Sequence, residues 1–217
     1  VARTDVCGLV REVNEGLSAR RGHEAAGRLR IDTESSRVLG SFRAWARYDD
    51  AFRMDIEHAS LMGAHRESIT MVIRGDSLET VDWRRGEYLG PEESLARVAE
   101  VLGIELGADD LLRLGLWLLP PCGPGMEAGR AGASVRVSGP LGGGTFTVRV
   151  DEGFPRSWRW EGPEGTLSME LEDLRREDGF LRPGRILLEN VAEGVSVLLE
   201  LREYRLRDDL GPDFFVF

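Results

Sequence analysis

Residues 40–56 read GSFRAWARYDDAFRMDI, and the period of this stretch decides the fold class. Phe42, Ala44, Ala46 and Tyr48 share one face, while Trp45 lies on the other. Beyond the acidic pair Asp49-Asp50, Phe52, Met54 and Ile56 alternate with Arg53 and Asp55. A period of two sends successive side chains to opposite faces of a sheet. The acidic pair sits where a turn belongs. The stretch therefore predicts two neighbouring amphipathic strands.

The same period extends in both directions. Upstream, RLRID places Leu29 and Ile31 between arginines. Downstream, SITMVIRG aligns Ile69, Met71 and Ile73, and SLETVDWRRGEYLG adds a short strand with a hairpin turn at Arg85-Gly86. Strands resume after residue 133. ASVRVSG and TFTVRV flank the turn PLGGG, with Phe146, Val148 and Val150 on one face. RSWRWEG alternates Trp158 and Trp160 with Arg159, and TLSMELEDL alternates Leu167, Met169 and Leu171 with Ser168 and Glu170. RILLEN and GVSVLLELREYRL complete about ten or eleven strands, in two blocks at 25–90 and 133–217.

Three segments change to a helical period. Over residues 5–20, Val6, Leu9, Val10, Val13 and Leu17 form one face behind Asp5. In PEESLARVAEVLG, Pro91 suits a first turn and Glu92-Glu93 its positive dipole end, with Leu95, Val98 and Leu102 as the apolar face. GADDLLRLGLWLLPP continues as a second helix to residue 119, apolar nearly all round, and is stopped by Pro120-Pro121. The glycine-rich CGPGMEAGRAGA that follows reads as a loop. A long antiparallel sheet that is apolar on one face must cover it. Three short helices are too few for ten strands laid flat, so the sheet is expected to curl.

Composition narrows the function classes. With 38 acidic against 28 basic residues the net charge is −10, which disfavours nucleic acid. Every basic residue is Arg, spread along the whole chain. Hydrophobic residues make up 41%, enough for a core, and no apolar run approaches a membrane span. VARTDVCGLV contains no long apolar run of a signal peptide, and Thr4-Asp5-Val6 is not an acylation site ahead of Cys7. Cys7 and Cys122 are too far apart for a close metal pair; one disulfide and two buried thiols both stay open.

Catalytic signatures are lacking. His23, His58 and His65 are the only histidines, and no cysteine joins them in a ligand set. GPLGGGT lacks the Lys-Ser/Thr of a phosphate cradle, and no G-x-S-x-G occurs. Paired carboxylates such as Asp49-Asp50, Glu92-Glu93 and Asp208-Asp209 fall at element ends, where they serve as caps and turns. Neither an enzyme nor a cofactor is expected. The anomaly is DIEHASLMGAHRESI, residues 55–69, which puts Leu61 and Met62 mid-way between two strands. Either the pair folds into the core, or an apolar tip is kept exposed for lipid or a partner's groove.

The order of these elements resembles the LolA/LolB lipoprotein-localisation family, LolB-like outer-membrane receptors in particular. The resemblance rests on GRLRI, GSFRAWARYDDAFRMDI, the apolar SLMG, ITMVIRGDSLETVDWRRGEYLG and the helical pair PEESLARVAEVLGIELGADDLLRLGLWLLPP. The later strands and the closing DDLGPDFFVF fit more loosely. It implies one domain over residues 1–217: an incomplete, strongly curved antiparallel β-barrel with a short-helix lid at 91–119 over a hydrophobic cavity. It further implies binding and transfer of acylated cargo, a lipoprotein or lipid, in a bacterial periplasm, with a carrier protein and the membrane surface as further partners. Outer-membrane anchoring through a lipidated segment upstream of Val1 stays open. Leu61, then Met62, would be the membrane-delivery tip. Phe42, Phe52, Met54, Ile56, Ile69, Met71, Leu116, Trp117, Phe146, Val148, Trp158, Leu167 and Met169 would line the acyl cavity. The glycine-rich stretch 123–132 is no family hallmark, and the receptor's acylated N-terminal Cys has no counterpart here. Related folds occur in glycolipid carriers and envelope-stress regulators, so a non-carrying interaction or sensor module is the alternative.

Overall fold

The structure, a computed structural model, describes residues 5–48, 50–59, 66–102, 105–141, 143–163, 165–177 and 179–217. The chain opens with helix α1 (Val6–Ser18), followed by strands β1 (Gly22–Asp32), β2 (Arg37–Arg47), β3 (Ala51–Ala59), β4 (Arg66–Arg74), β5 (Ser77–Asp82) and β6 (Glu87–Leu89). Helices α2 (Pro91–Leu102) and α3 (Ala108–Gly115) come next. The second half holds β7 (Glu127–Ala131), β8 (Ser134–Leu141), β9 (Gly144–Asp151), β10 (Phe154–Gly162), β11 (Gly165–Glu172), β12 (Arg175–Glu177), β13 (Phe180–Arg182), β14 (Arg185–Asn190) and β15 (Val195–Leu206), then a 3-10 turn, η1 (Pro212–Phe215).

Thirteen strands form one antiparallel sheet in the order β6-β5-β4-β3-β2-β1-β15-β14-β11-β10-β9-β8-β7. Two meanders are zipped together where β1 meets β15. The terminal strands β6 and β7 do not meet, so the sheet is an incomplete, curved barrel, as the family resemblance implied. Part of the bend arises at the central seam. Ala26 faces Glu203 while Gly27 faces Leu201, so Arg202 is an extra residue that bulges out of β15. A Cβ on Gly27 would collide with the Glu200 carbonyl and the Phe42 ring, which is why glycine stands there.

The concave face is covered from within. Asp5 caps α1 by accepting from the Gly8 N–H at 3.0 Å, and the helix buries Val10, Val13 and Leu17 against the sheet. Beside it lies the buried run Leu116, Trp117, Leu118 and Leu119. The Asn14 amide brackets one residue of that run: Nδ2 donates to the Leu119 carbonyl (3.0 Å) and Oδ1 accepts from the Leu119 N–H (2.8 Å). Cys7 and Cys122 are joined in a disulfide, with Cα atoms 5.3 Å apart. The first helix is thus stapled twice to a segment more than one hundred residues away.

Several boundaries differ from the sequence reading. The second helix stops at Gly115, not at 119. Trp117 takes a left-handed conformation (φ 61°), and Pro120-Pro121 cannot continue a helix, so 116–119 leaves as irregular chain and enters the core. The glycine-rich stretch contains an edge strand, β7, paired with β8 from Glu127↔Ser138 to Ala131↔Ser134. Its residues bury little, so no alternation marks it. The first strand block begins at Gly22 rather than 25. Fifteen strands occur among the described residues, against the ten or eleven expected; the surplus includes the three-residue β6, β12 and β13, too short for a visible period.

Candidate apolar site under the helical pair

Helices α2 and α3 bridge the two halves of the curved sheet. α2 lies on β5 and β6, while α3 packs on β3, β4 and β5. The far end of α2 is hooked by Asn190 of β14, whose Nδ2 donates to the Leu102 carbonyl. The Asn190 Oδ1 is occupied by the N–H groups of Ala192 (3.0 Å) and Glu193 (3.3 Å), which orients the amide. Just beyond, Leu106 packs with Trp160 and Leu167 on the opposite side of the sheet. Trp160 can be buried there because its Nε1–H reaches the Leu141 carbonyl at 2.9 Å.

The seat of α2 is loose. Its only buried residue is Ser94, whose hydroxyl donates to the Leu89 carbonyl at 3.0 Å. Leu95, Val98 and Leu102 are only half-buried, and Val101 is exposed. On the neighbouring strands Met54, Ile56, Ile69 and Met71 are also half-buried, as are Leu111 and Leu114 of α3. A helix held by packing normally hides its apolar stripe. Here that stripe and the strand residues near it keep apolar surface accessible.

The thirteen residues expected along an acyl cavity therefore fall into two groups. Phe42, Phe52, Leu116, Trp117, Phe146, Val148, Trp158 and Met169 are buried in the main core cluster, and Leu167 in the small cluster at the end of α2. Met54, Ile56, Ile69 and Met71 form the second, half-buried group. Leu61 and Met62 lie outside the described residues, as does His65; the flanking β3 and β4 pair up to Ala59↔Arg66.

Sequence reasoning missed the other apolar residues at that end of the sheet. Leu39, at the start of β2, is 59% exposed, and Trp83, after β5, is 53% exposed. Val191, after β14, is 82% exposed. Register places all three at the end where the 60–65 connection leaves the sheet: Gly40 pairs His58, the Trp83 N–H bonds the Ser68 carbonyl, and Asn190 pairs Val195. Trp83 is held upright, since its Nε1–H donates to the Thr70 hydroxyl (2.9 Å), which in turn donates to Asp55 (2.9 Å). A groove of about 680 Å³ runs along the convex face from the Arg202 bulge to Leu39, Gly40 and His58 at this same end. Its walls combine the charged Arg28, Arg30, Glu57, Glu200 and Arg202 with the apolar Leu39 and Leu198, so charged side chains rim an apolar floor on the outer face.

Comparisons with known proteins agree at the level of fold. No protein-family model and no curated protein matches the sequence. Solved structures do match in shape. A domain from Vibrio parahaemolyticus named for outer membrane lipoprotein sorting superposes with a TM-score of 0.62 at 11% identity, over 94% of each chain. A LolA superfamily protein from Nitrosomonas europaea gives 0.62 at 12% identity, over 97% of this chain and 96% of that one. A DUF1329 family protein from Desulfovibrio piger gives 0.65 at 9% identity, over 98% of both chains.

Proposed function

We propose, from the premise that this chain has the LolA/LolB-like fold, that it binds an acyl chain of a lipoprotein or lipid and passes it on without covalent chemistry. The observation that carries this reading is the unsatisfied apolar surface shared by α2 and the strands near it, with Leu95 and Val98 half-buried alongside Met54, Ile56, Ile69 and Met71. Burying a CH₂ group contributes about 0.8 kcal/mol, so about ten methylenes give ample gross affinity. Release then requires contacts that can be surrendered. A helix with a single buried residue, hooked at one end by Asn190, is suited to move. Outward movement of α2 and α3 would also give access to Leu167 and the deeper residues. The disulfide fits an oxidising compartment such as the bacterial envelope.

In this reading the 60–65 connection, with Leu61 at its tip and Met62 beside it, delivers cargo to a membrane, and Leu39, Trp83 and Val191 widen the same apolar rim. Native mass spectrometry of the purified protein, with lipid extraction, tests carriage directly. Bound lipid, or saturable binding of an environment-sensitive acyl probe that Val98→Glu weakens, is the expected result; neither bound lipid nor probe binding ends the proposal. Leu61→Glu should leave fold and probe binding intact and slow transfer to vesicles; an unchanged transfer rate removes the loop from the mechanism. A second reading, a non-carrying interaction module, is favoured by the nine expected lining residues that are packed into the core clusters. It predicts a protein that stays lipid-free at every acyl-probe concentration.

A further inference from the structure

The opposite end of the sheet holds a different kind of unfinished business. Arg20, just after α1, is 5% exposed, and among the described residues no carboxylate pairs with it. One of its nitrogens, Nη2, donates to the Leu181 carbonyl at 2.6 Å; Nε and Nη1 have no partner. Aromatic rings surround the guanidinium, with Phe180 at 5.4 Å, Phe154 at 5.5 Å and Trp117 at 6.0 Å. Beside it lie the buried hydroxyls of Tyr48 and Tyr204, which interact with the Arg20 guanidinium and with each other but complete no well-formed hydrogen bond. The His23 ring lies 5.0 Å from Tyr204 and 5.5 Å from Tyr48, and its Nδ1 is unpartnered too. Arg182 sits over Tyr204 at 5.4 Å; its Nε binds Glu177, and its Nη1 is free of partners. Six of the ten unpartnered buried side-chain atoms among the described residues thus fall in this one cluster, which marks it as a site rather than scattered packing faults.

The chemistry of the donors names the missing partner. A guanidinium cannot shed its proton, so a buried one needs an anion or pays the full cost of desolvation. Burial pushes the Tyr48 and Tyr204 hydroxyls above their usual range, which keeps their protons available for donation. A cation in fork geometry flanked by two hydroxyl donors complements a planar or tetrahedral oxyanion. Water bound there would leave the charge uncompensated.

We propose that Arg20, Tyr48 and Tyr204, with Arg182 and His23 at the margin, form a buried oxyanion site for a carboxylate or phosphate group beneath the β12–β13 hairpin. That hairpin is the door. β12 and β13 pair only with each other, and the hairpin is fastened to Arg20 through the Leu181 carbonyl and the Phe180 ring. It can therefore lift without breaking a rung of the large sheet. The site stands apart from the acyl-binding proposal, since it lies at the far end of β1, β2 and β15 from the 60–65 connection.

The same oxyanion could belong to a free ion or to the head of an amphiphile, and the test separates them. Protein dialysed into a non-coordinating buffer is melted with inorganic phosphate, acetate, decanoate or decanol, each against chloride at equal ionic strength. Saturable stabilisation by phosphate or acetate assigns a free ion. Tighter binding of decanoate than of both acetate and decanol assigns an amphiphile head. In either case Arg20→Met should weaken the response at least tenfold, while leaving any decanol response in place. Should Arg20→Met fail to fold, the double variant Tyr48→Phe/Tyr204→Phe, which removes the hydroxyls at nearly constant volume, must weaken it several-fold. No anion-specific stabilisation by any of the three anions, or a response that survives both variants, overturns the proposal and leaves a water-filled cluster. Binding of decanol alone would refute the anion site and still support acyl binding.

Discussion

The two ends of one curved sheet are built to opposite standards. At the end holding His23, Tyr48 and Tyr204, rings stack on rings, and Trp117 lies over His23 at 5.5 Å with planes only 19° apart. At the α2 end, Met54, Ile56, Ile69 and Met71 keep part of their surface accessible, and the helix nearby buries one serine. The strands are the same in kind; what differs is the cover. α1 and the 116–119 run are tied to each other by a disulfide and by Asn14, whereas α2 is held by Ser94 on the Leu89 carbonyl at one end and by one amide from Asn190 at the other. Rigidity in this fold is conferred by how the lining of the concave face is anchored, more than by the sheet itself.

The largest expected effect attacks the anchored side. Cys7→Ser/Cys122→Ser opens a loop of 115 residues, for which chain entropy predicts a loss of about 4–5 kcal/mol. Denaturant unfolding measures it, and a loss below about 1 kcal/mol would mean that the staple contributes little to the difference between the ends.

A second pair of variants compares the ends directly. Phe146, 1% exposed in the main core, should cost about 3–5 kcal/mol on truncation to alanine. Met71→Ala, at a half-buried position, removes less buried area and should cost about 1–2 kcal/mol. Equal losses would show that the α2 end is packed as tightly as the core.

The third effect is pH-dependent. Burial, helped by the positive charge of Arg20, lowers the His23 pKa from 6.5 to about 3. The unfolded chain therefore takes up this proton below pH 6.5 while the folded chain refuses it. The contribution to stability is complete above pH 6.5 and is lost as pH falls from there toward 3. By pH 5 the loss should be about 2 kcal/mol. Unfolding curves at pH 7 and pH 5 measure it, and His23→Gln should flatten that part of the dependence; an unchanged slope would place the titration elsewhere.

The smallest effect sharpens the comparison most. Asn190→Ala removes the hook on the Leu102 carbonyl and should cost about 1 kcal/mol. Its signature is local: amide exchange in α2 should speed up about fivefold while α1 amides keep their protection. Uniform acceleration would make Asn190 a general stability residue rather than a latch.

Much of this was legible in the chain. Alternation at 42–56 and 146–171 gave the strands and their inward faces because half-buried antiparallel strands cannot avoid a period of two. The capped α1 and the amphipathic α2, with Glu92 and Glu93 in its first turn, were equally visible. The edge strand β7 was not, since a strand that buries neither face leaves no apolar stripe. Trp83, between a short strand and the turn at Arg85-Gly86, carries no local signal, and its placement depends on a hydrogen bond to Thr70 from another strand. The cluster around Arg20 was invisible for a stronger reason: Arg20, His23, Tyr48, Arg182 and Tyr204 span most of the chain, and no local pattern distinguishes a buried arginine from the many exposed ones.

By itself the sequence determined that an apolar-faced antiparallel sheet forms, that it must curl, and that three helices accompany it. These are consequences of side-chain period and of local capping, which act over a few residues. Only the tertiary structure decided which covers are fastened and which are loose, that Cys7 meets Cys122, and that unpartnered donors gather beneath the β12–β13 hairpin. Those outcomes depend on contacts between residues a hundred or more positions apart, and the free energy of such contacts is set by closure and burial in three dimensions, which no window along the chain contains.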